Sequence, residues 1–440
     1  MKTTLVAFAL CTTAAGLVSA DDKAGALTFY KDVVPVLQKN CQTCHRPGEI
    51  GPMSLMDYKS ARPFAKAMKQ AVATRKMPPW FADRAHGKFA NDRSMSQAEI
   101  DTIVKWADSG AAEGKPSDAP PPLTFVDGWN IPKPDMVVEM PNKFTIPASG
   151  KVDYQYIVVP MNITEPKWVQ MAEARPDPGA RSAVHHVVVY VRAPESKWLR
   201  GEAEPGIPFV PPRTTPDGRP RDDIGGMGNE ILTIYTPGNV PDKWERGRAK
   251  LIRPGSDIVF QMHYTPSGKE VADKSKVGIV FARNEDVKER VATLSIVNTR
   301  FAIPPGDPNY RVDGAVQVRN DAYLLSFFPH MHVRGKAFEY RLKRAEGEPE
   351  TLLKVPAYNF NWQLTYHLKE PIKLEAGMRM EASGWFDNSA NNPFNPDPKA
   401  TVRWGEQSWE EMMIGFFDIA FDARLDPRSW MMGKKPGTSD

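Results

Sequence analysis

Beyond residue 123 the chain runs in short β-branched and aromatic stretches separated by Gly, Pro and Asn turns. Tyr154–Val159, Val184–Val191, Ile258–Tyr264, Tyr323–Phe328 and Ile414–Phe421 are the clearest. Such runs predict antiparallel sheets rather than βαβ units, because no helical periods alternate with them. Roughly 320 residues of this kind exceed one sandwich, so two jelly-roll-like sandwiches are expected, over 136–290 and 291–440. Proline is abundant, 41 of 440 residues against a usual share of about 5%. It concentrates in turns and in 193–250, which read as long loops around one or two short strands.

Upstream the pattern differs. Glu113 to Leu123 (EGKPSDAPPPL) favours extended polyproline and predicts a linker over 114–135. Residues 21–113 read as a small all-α domain. One helix is expected over Leu27–Asn40, shortened or kinked by Pro35, and another over Phe64–Arg75. Ser96 and Glu99 form a capping box before an apolar stripe of Ile100, Ile103, Val104 and Ala107, and Gly110 ends that helix.

Residues 1–20 read as a cleaved export signal: Lys2, an apolar stretch from Leu5 to Val18, then Val18-Ser19-Ala20. The expected location is periplasmic or secreted, with no membrane span after signal removal. Lys+Arg number 57 against 53 Asp+Glu, with no basic block, so a nucleic-acid partner is not expected. Of three cysteines, Cys11 leaves with the signal, which excludes a disulfide scaffold.

The other two stand in Cys41-Gln42-Thr43-Cys44-His45, the C-x-x-C-H pattern of covalent c-type haem attachment. Two thiols add to the haem vinyl groups, and His45 becomes the proximal ligand. A thioredoxin-like pair would not need His45, and a zinc half-site would need two further ligands. One covalent haem c is therefore expected in a cytochrome c-like domain. Met77, in Lys76-Met77-Pro78-Pro79-Trp80, is the expected sixth ligand. Met53, Met56, Met68 and Met95 compete, as does His86 more weakly.

Six histidines remain, five in or beside expected strands. Strand side chains repeat every two residues, so His330 and His332 face one side and can share a metal. His185 and His186 point to opposite faces unless a bulge or strand end intervenes; otherwise one is a core histidine and one is solvent-facing. His263 lies in Gln261-Met262-His263-Tyr264, and His367 reads as a structural strand histidine. Asp387 to Pro398 is turn chemistry, with calcium a remote alternative.

The ordered set resembles the copper type II, ascorbate-dependent monooxygenases, over roughly Val138 to Asp426. The resemblance implies one copper held by His185, His186 and His263, and a second held by His330, His332 and Met412, with Met413 the rival thioether. It also implies dioxygen activation at the second copper and hydroxylation of a substrate C–H bond, with Gln261 beside the first. The family's substrate-anchoring arginine is replaced by Phe328, and its Asn and Tyr after the ligand methionine by Ile414 and Phe416. A carboxylate anchor is thereby lost, and Phe328 and Phe416 become candidate walls of a more apolar pocket. Imidazoles suit copper and zinc alike, whereas a thioether favours Cu(I). With both cysteines committed to haem, blue copper is excluded; zinc hydrolysis stays conceivable.

The expected function is an exported haem–copper monooxygenase. Its partners would be a small-molecule substrate, dioxygen and a donor protein or small reductant, with the cytochrome domain feeding the copper. Two other classes stay open: a copper-binding redox or sensing module without turnover, and an electron-transfer cytochrome with partner-docking β domains.

Overall fold

The structure, a computed structural model, describes residues 27–425 except 126–127, 203, 215–217, 219–220, 222–225 and 227–228. The expected signal segment, with Lys2 and Cys11, lies outside the described residues, as does Asp426. Among the described residues no helix is long and apolar enough to cross a membrane.

The helices gather in the first part of the chain. Phe29–Val33 forms a π turn that continues as the α-helix Val34–Asn40. Pro35 therefore sits in the first turn of the α segment, where its missing N–H costs nothing. The helix expected over Phe64–Arg75 is α only over Ala65–Ala73, because Pro63 closes a 3-10 turn at Arg62–Phe64. In Gln97–Asp108 the Ser96 and Glu99 side chains each accept the other's backbone N–H, and Ile100, Ile103 and Trp106 are buried. These helices share one core with Phe29, Leu37, Met68 and Met95.

The rest is strand. One long sheet runs in the order Met136–Glu139, Lys276–Phe281, Lys167–Arg175, Arg248–Ile252, Glu289–Val297, Ile414–Asp422, Ala322–His330, Tyr366–Leu374. Its first half faces a four-stranded sheet of Gln155–Pro160, Asp257–Tyr264, Val184–Arg192 and Glu230–Tyr235. Its second half faces Tyr310–Gln317, Arg379–Phe386, Gly335–Lys343 and Glu350–Val355. Each pair of faces encloses its own apolar core. The two halves meet through a short parallel pairing, Glu289 opposite Arg248 and Arg290 opposite Ala249. The position near 290 is thus a seam within one sheet.

Alternation along the strands sends a second set of side chains to the seam between the halves. In Asp257–Tyr264, Ile258, Phe260 and Met262 fill the first core while Val259, Gln261 and His263 face outward. In Ile414–Asp422, Phe417, Ile419 and Phe421 enter the second core, whereas Ile414 and Phe416 turn toward the first half. The two outward faces meet and cover each other.

The linker residues also pack. Gln38 Nε2 donates to Pro121 O at 3.0 Å, and the Arg46 guanidinium lies 4.1 Å over the Phe125 ring. Trp80–Arg93 docks on Tyr366–Leu374: Ala90 N donates to His367 O, Lys369 N donates to Lys88 O, and Phe89 enters the second core.

Candidate metal centre

His186 and His263 are direct cross-strand neighbours on the outward face of the four-stranded sheet. The register shifts between Val184 and His186, so a bulge lies where adjacent histidines need one to reach the same side. The ligand nitrogens of His185, His186 and His263 all lie within 4.8 Å of one another. The opposing face supplies His330, whose ring centroid is 6.1 Å from that of His186, and His332, 5.2 Å from His330. All five rings are buried.

Their protonation follows from this placement. Desolvation, then the His330 charge, pushes His185 down to about 4; desolvation also brings His330 to about 4, against its hydrogen bond to Gln363. His186, His263 and His332 are held well below the usual imidazole value, first by desolvation and then by the other rings. Neutral imidazoles are the ligating form.

Several partners fix which nitrogen keeps its lone pair. Gln363 Nε2 donates to Phe360 O, so Gln363 Oε1 faces His330 Nδ1 at 2.7 Å and must accept from it. His332 Nδ1 donates to Glu410 O at 3.3 Å. Both histidines therefore keep Nε2 bare. His332 Nε2, His185 Nε2 and His263 Nδ1 are buried with no hydrogen-bond partner. Buried polar atoms left in this way are costly unless something binds them. That donor set fits a metal ion.

Met412 lines a narrow pocket together with His186, His330, Gln261, Phe328, Ile414 and Phe416. Met413, one residue on, faces the opposite way into the second core, with its Cγ 3.1 Å from where a Cβ on Gly384 would stand. Of the two thioethers, Met412 is thus the one beside the histidines. Glu411 is fully buried, its Oε2 accepting His332 N at 2.9 Å and its Oε1 accepting Arg334 N at 2.7 Å. Burial pushes its carboxyl up to about 8 against those bonds. Arg334 in turn donates to Asn388 and Trp409 O. The Asp387–Pro398 segment thus braces the His332 turn.

Gln363 and Phe360 carried no sequence signal, and Tyr154 carried only that of its strand run. Phe360 stacks on His185 at 4.3 Å, and Tyr154 tilts over His263 at 4.4 Å. Gln261 donates to Tyr156 OH, and the Tyr156 hydroxyl donates to Glu406, making a buried network behind the pocket. His367 stands apart, on the strand that receives the Trp80–Arg93 segment, its N–H donated to Asn91.

In the helical unit, Cys41 to His45 form a tight turn, with Cys44 N and His45 N both donating to Cys41 O. His45 Nδ1 faces Met53 O at 3.2 Å; a carbonyl only accepts, so Nε2 keeps its lone pair. A Cβ on Gly51 would stand 2.7 Å from His45 Nδ1, so only glycine lets the chain close over this ring. Desolvation raises both thiols, Cys41 to about 12, the reverse of a redox-active thiol pair. Met77 lines an open cavity with Val72, Trp80, Met95 and Ile100, and the lining of that cavity includes none of Cys41, Cys44 and His45. Met68 and Met95 are buried in the helical core, and His86 lies in a loop with Nδ1 3.6 Å from Asp83. The free lone pair of His45 and the two unpaired thiols leave these three groups available to a covalently attached haem.

A largely β protein with a buried five-histidine centre is the class these features define. No family model matches the chain, and no curated protein matches it. Among solved structures it is similar to allantoicase at 7% identity, covering 56% of this chain and 79% of that one at a TM-score of 0.16. It is similar to PBCV-1 VP54, fitted into a reconstruction of the virophage Sputnik, at 7% identity, covering 69% and 100% at a TM-score of 0.22. A third is the VP2 subviral particle of infectious bursal disease virus, at 9% identity, 70% and 76% coverage and a TM-score of 0.18. At these scores the likenesses carry no argument about fold or function.

Proposed function

We propose that this chain is an exported haem- and copper-containing oxidoreductase, a monooxygenase that hydroxylates a C–H bond of a small apolar substrate. The observation that carries the reading is that His186, His330 and Met412 line one pocket, with His185 and His263 grouped with His186 and with His332 beside His330. Five imidazoles with a thioether favour copper over zinc. Bound copper would supply dioxygen activation and one-electron chemistry there, and a haem on Cys41, Cys44, His45 and Met77 would supply stored electrons.

The chain's own residues do the rest. Gln363 and the Glu410 carbonyl orient His330 and His332 so that each presents Nε2. Phe328, Ile414 and Phe416 keep the approach to His330 apolar. With Phe328 where a carboxylate anchor would stand, a substrate with a charged terminus would have to bury it unpaired. Glu49 joins the helical unit to the first β half, accepting from Arg175 at 2.8 Å and from Arg181 at 2.7 Å. Arg93 donates to Gly238 O, and Thr236 Oγ1 donates to Gln363 O. The expected electron-donating unit is thus hydrogen-bonded to the segment that holds His330.

The test uses full-length protein matured in an oxidising compartment, loaded with copper and freed of excess by gel filtration. Supplied with ascorbate, it should consume dioxygen in proportion to bound copper. His330→Ala and Met412→Leu should abolish that uptake and leave the haem spectrum intact. Retention of zinc in place of copper, or uptake that survives both substitutions, would overturn the reading.

A further inference from the structure

We infer that the cleft between the helical unit and the first β half binds a small oxyanion, a carboxylate or phosphate group held by Arg181 and Tyr235. The inference does not depend on the copper or haem readings.

Cys44 and Glu49 wall the cleft on the helical side, and Glu173, Arg175, Arg181 and Tyr235 wall it on the β side. Most of the charges there are paired. Arg175 donates to Glu173 at 2.7 Å and to Glu49 at 2.8 Å, and Arg46 donates to Glu49 at 3.2 Å and to Asn130 at 3.3 Å. Arg181 spends Nη1 on Glu49 and on the Gly48 carbonyl. Its Nε is buried without a partner, in a residue only 7% exposed. The Tyr235 hydroxyl is likewise buried without a partner. Burial holds that hydroxyl protonated, well above the usual tyrosine value, and Arg181, Glu49 and Arg175 are among its charged neighbours. Two donors thus border one cleft with nothing to donate to.

Charge selects the class of ligand. Three guanidinium groups, Arg46, Arg175 and Arg181, meet two carboxylates, Glu49 and Glu173, which leaves the cluster one positive charge in excess. Buried donors left unpaired are costly, and an uncompensated buried cation adds to that cost. An anion with two accepting oxygens answers both, one oxygen taking the Arg181 Nε–H and the other the Tyr235 O–H. A cation would meet the excess positive charge, and a water molecule would leave it uncompensated. Because both units wall the cleft, the bound anion also tightens their docking.

Full-length protein, in an amine buffer with chloride as its only anion, is titrated calorimetrically with sodium formate and separately with sodium phosphate. Sodium chloride at matched ionic strength is the control. One saturable site per chain is expected, and the tighter of the two anions identifies the group the site is built for. Tyr235→Phe should weaken binding about tenfold. It should leave the melting temperature without added anion unchanged or higher, since the hydroxyl it removes has no partner. Arg181→Lys keeps the charge but loses the Nε donor, and saturation should disappear. Saturable binding that survives both substitutions would mean an adventitious ion only and would overturn the inference. So would the lack of saturable heat from either anion, or heat that chloride reproduces.

Discussion

Replacing Glu411 isolates the part of the site that holds the His-x-His turn in place. In Glu411→Leu the backbone N–H groups of His332 and Arg334, bonded at 2.9 and 2.7 Å, lose their acceptor inside the protein. Each buried donor left unpaired costs about 1–3 kcal/mol, so the gross loss is roughly 2–6 kcal/mol. Part is returned, because the carboxyl is itself unfavourably buried, as its rise to about 8 records. A net loss of about 2–4 kcal/mol is expected. Glu411→Gln keeps one accepting oxygen and turns an amide N–H toward the other donor, so it should fall between wild type and leucine. Urea unfolding followed by tryptophan fluorescence measures the stabilities, and copper titration measures whether the His332 site loosens in the same order. A leucine variant within about 0.5 kcal/mol of wild type, with unchanged copper binding, would refute the bracing role.

Three further outcomes follow from the same structure. Metal-free protein should lose stability as pH falls from 6.5 toward 4. The histidine pKa values are lowered on folding, so the unfolded chain takes up protons first; His185 and His330 each contribute about 3 kcal/mol that is present above 6.5. Thermal melts across pH with chelator should show this loss, and copper should offset it. Met413→Ala should cost about 2–5 kcal/mol by opening the second core while copper binding persists, whereas Met412→Leu should keep stability and alter the Cu(I) X-ray absorption spectrum. Glu49→Ala leaves Arg181 without its carboxylate and should cost about 3 kcal/mol, with faster hydrogen exchange at 173–176 and 233–239 but not in the second β half.

Where period-two alternation governs, the sequence was legible. All five strongest strand runs form strands, and the step from Met412 to Met413 is the step from site face to core face. His330 and His332 obey the same rule. The adjacent pair His185 and His186 could be joined only through a bulge, and the register shift at Val184/His186 supplies it. The spacing gave no hint that the two histidine groups would touch, because that depends on how two sheet faces meet across a seam. Gln363 and Phe360 come from an irregular segment with no periodicity, so nothing local marks them. The linker composition predicted an extended break, but Gln38 and Arg46 hold that linker against the helical unit, and the Trp80–Arg93 segment docks the unit on the second β half. Those contacts are long-range and invisible to local pattern.

The proposed function requires electrons to pass between haem and copper within this one chain. Rapid mixing of ferrous protein with dioxygen tests it most directly, comparing copper-loaded and copper-free samples of the same preparation. Haem oxidation should be markedly faster in the copper-loaded protein and should slow to the copper-free rate in His330→Ala. Equal rates with and without copper would contradict the claim.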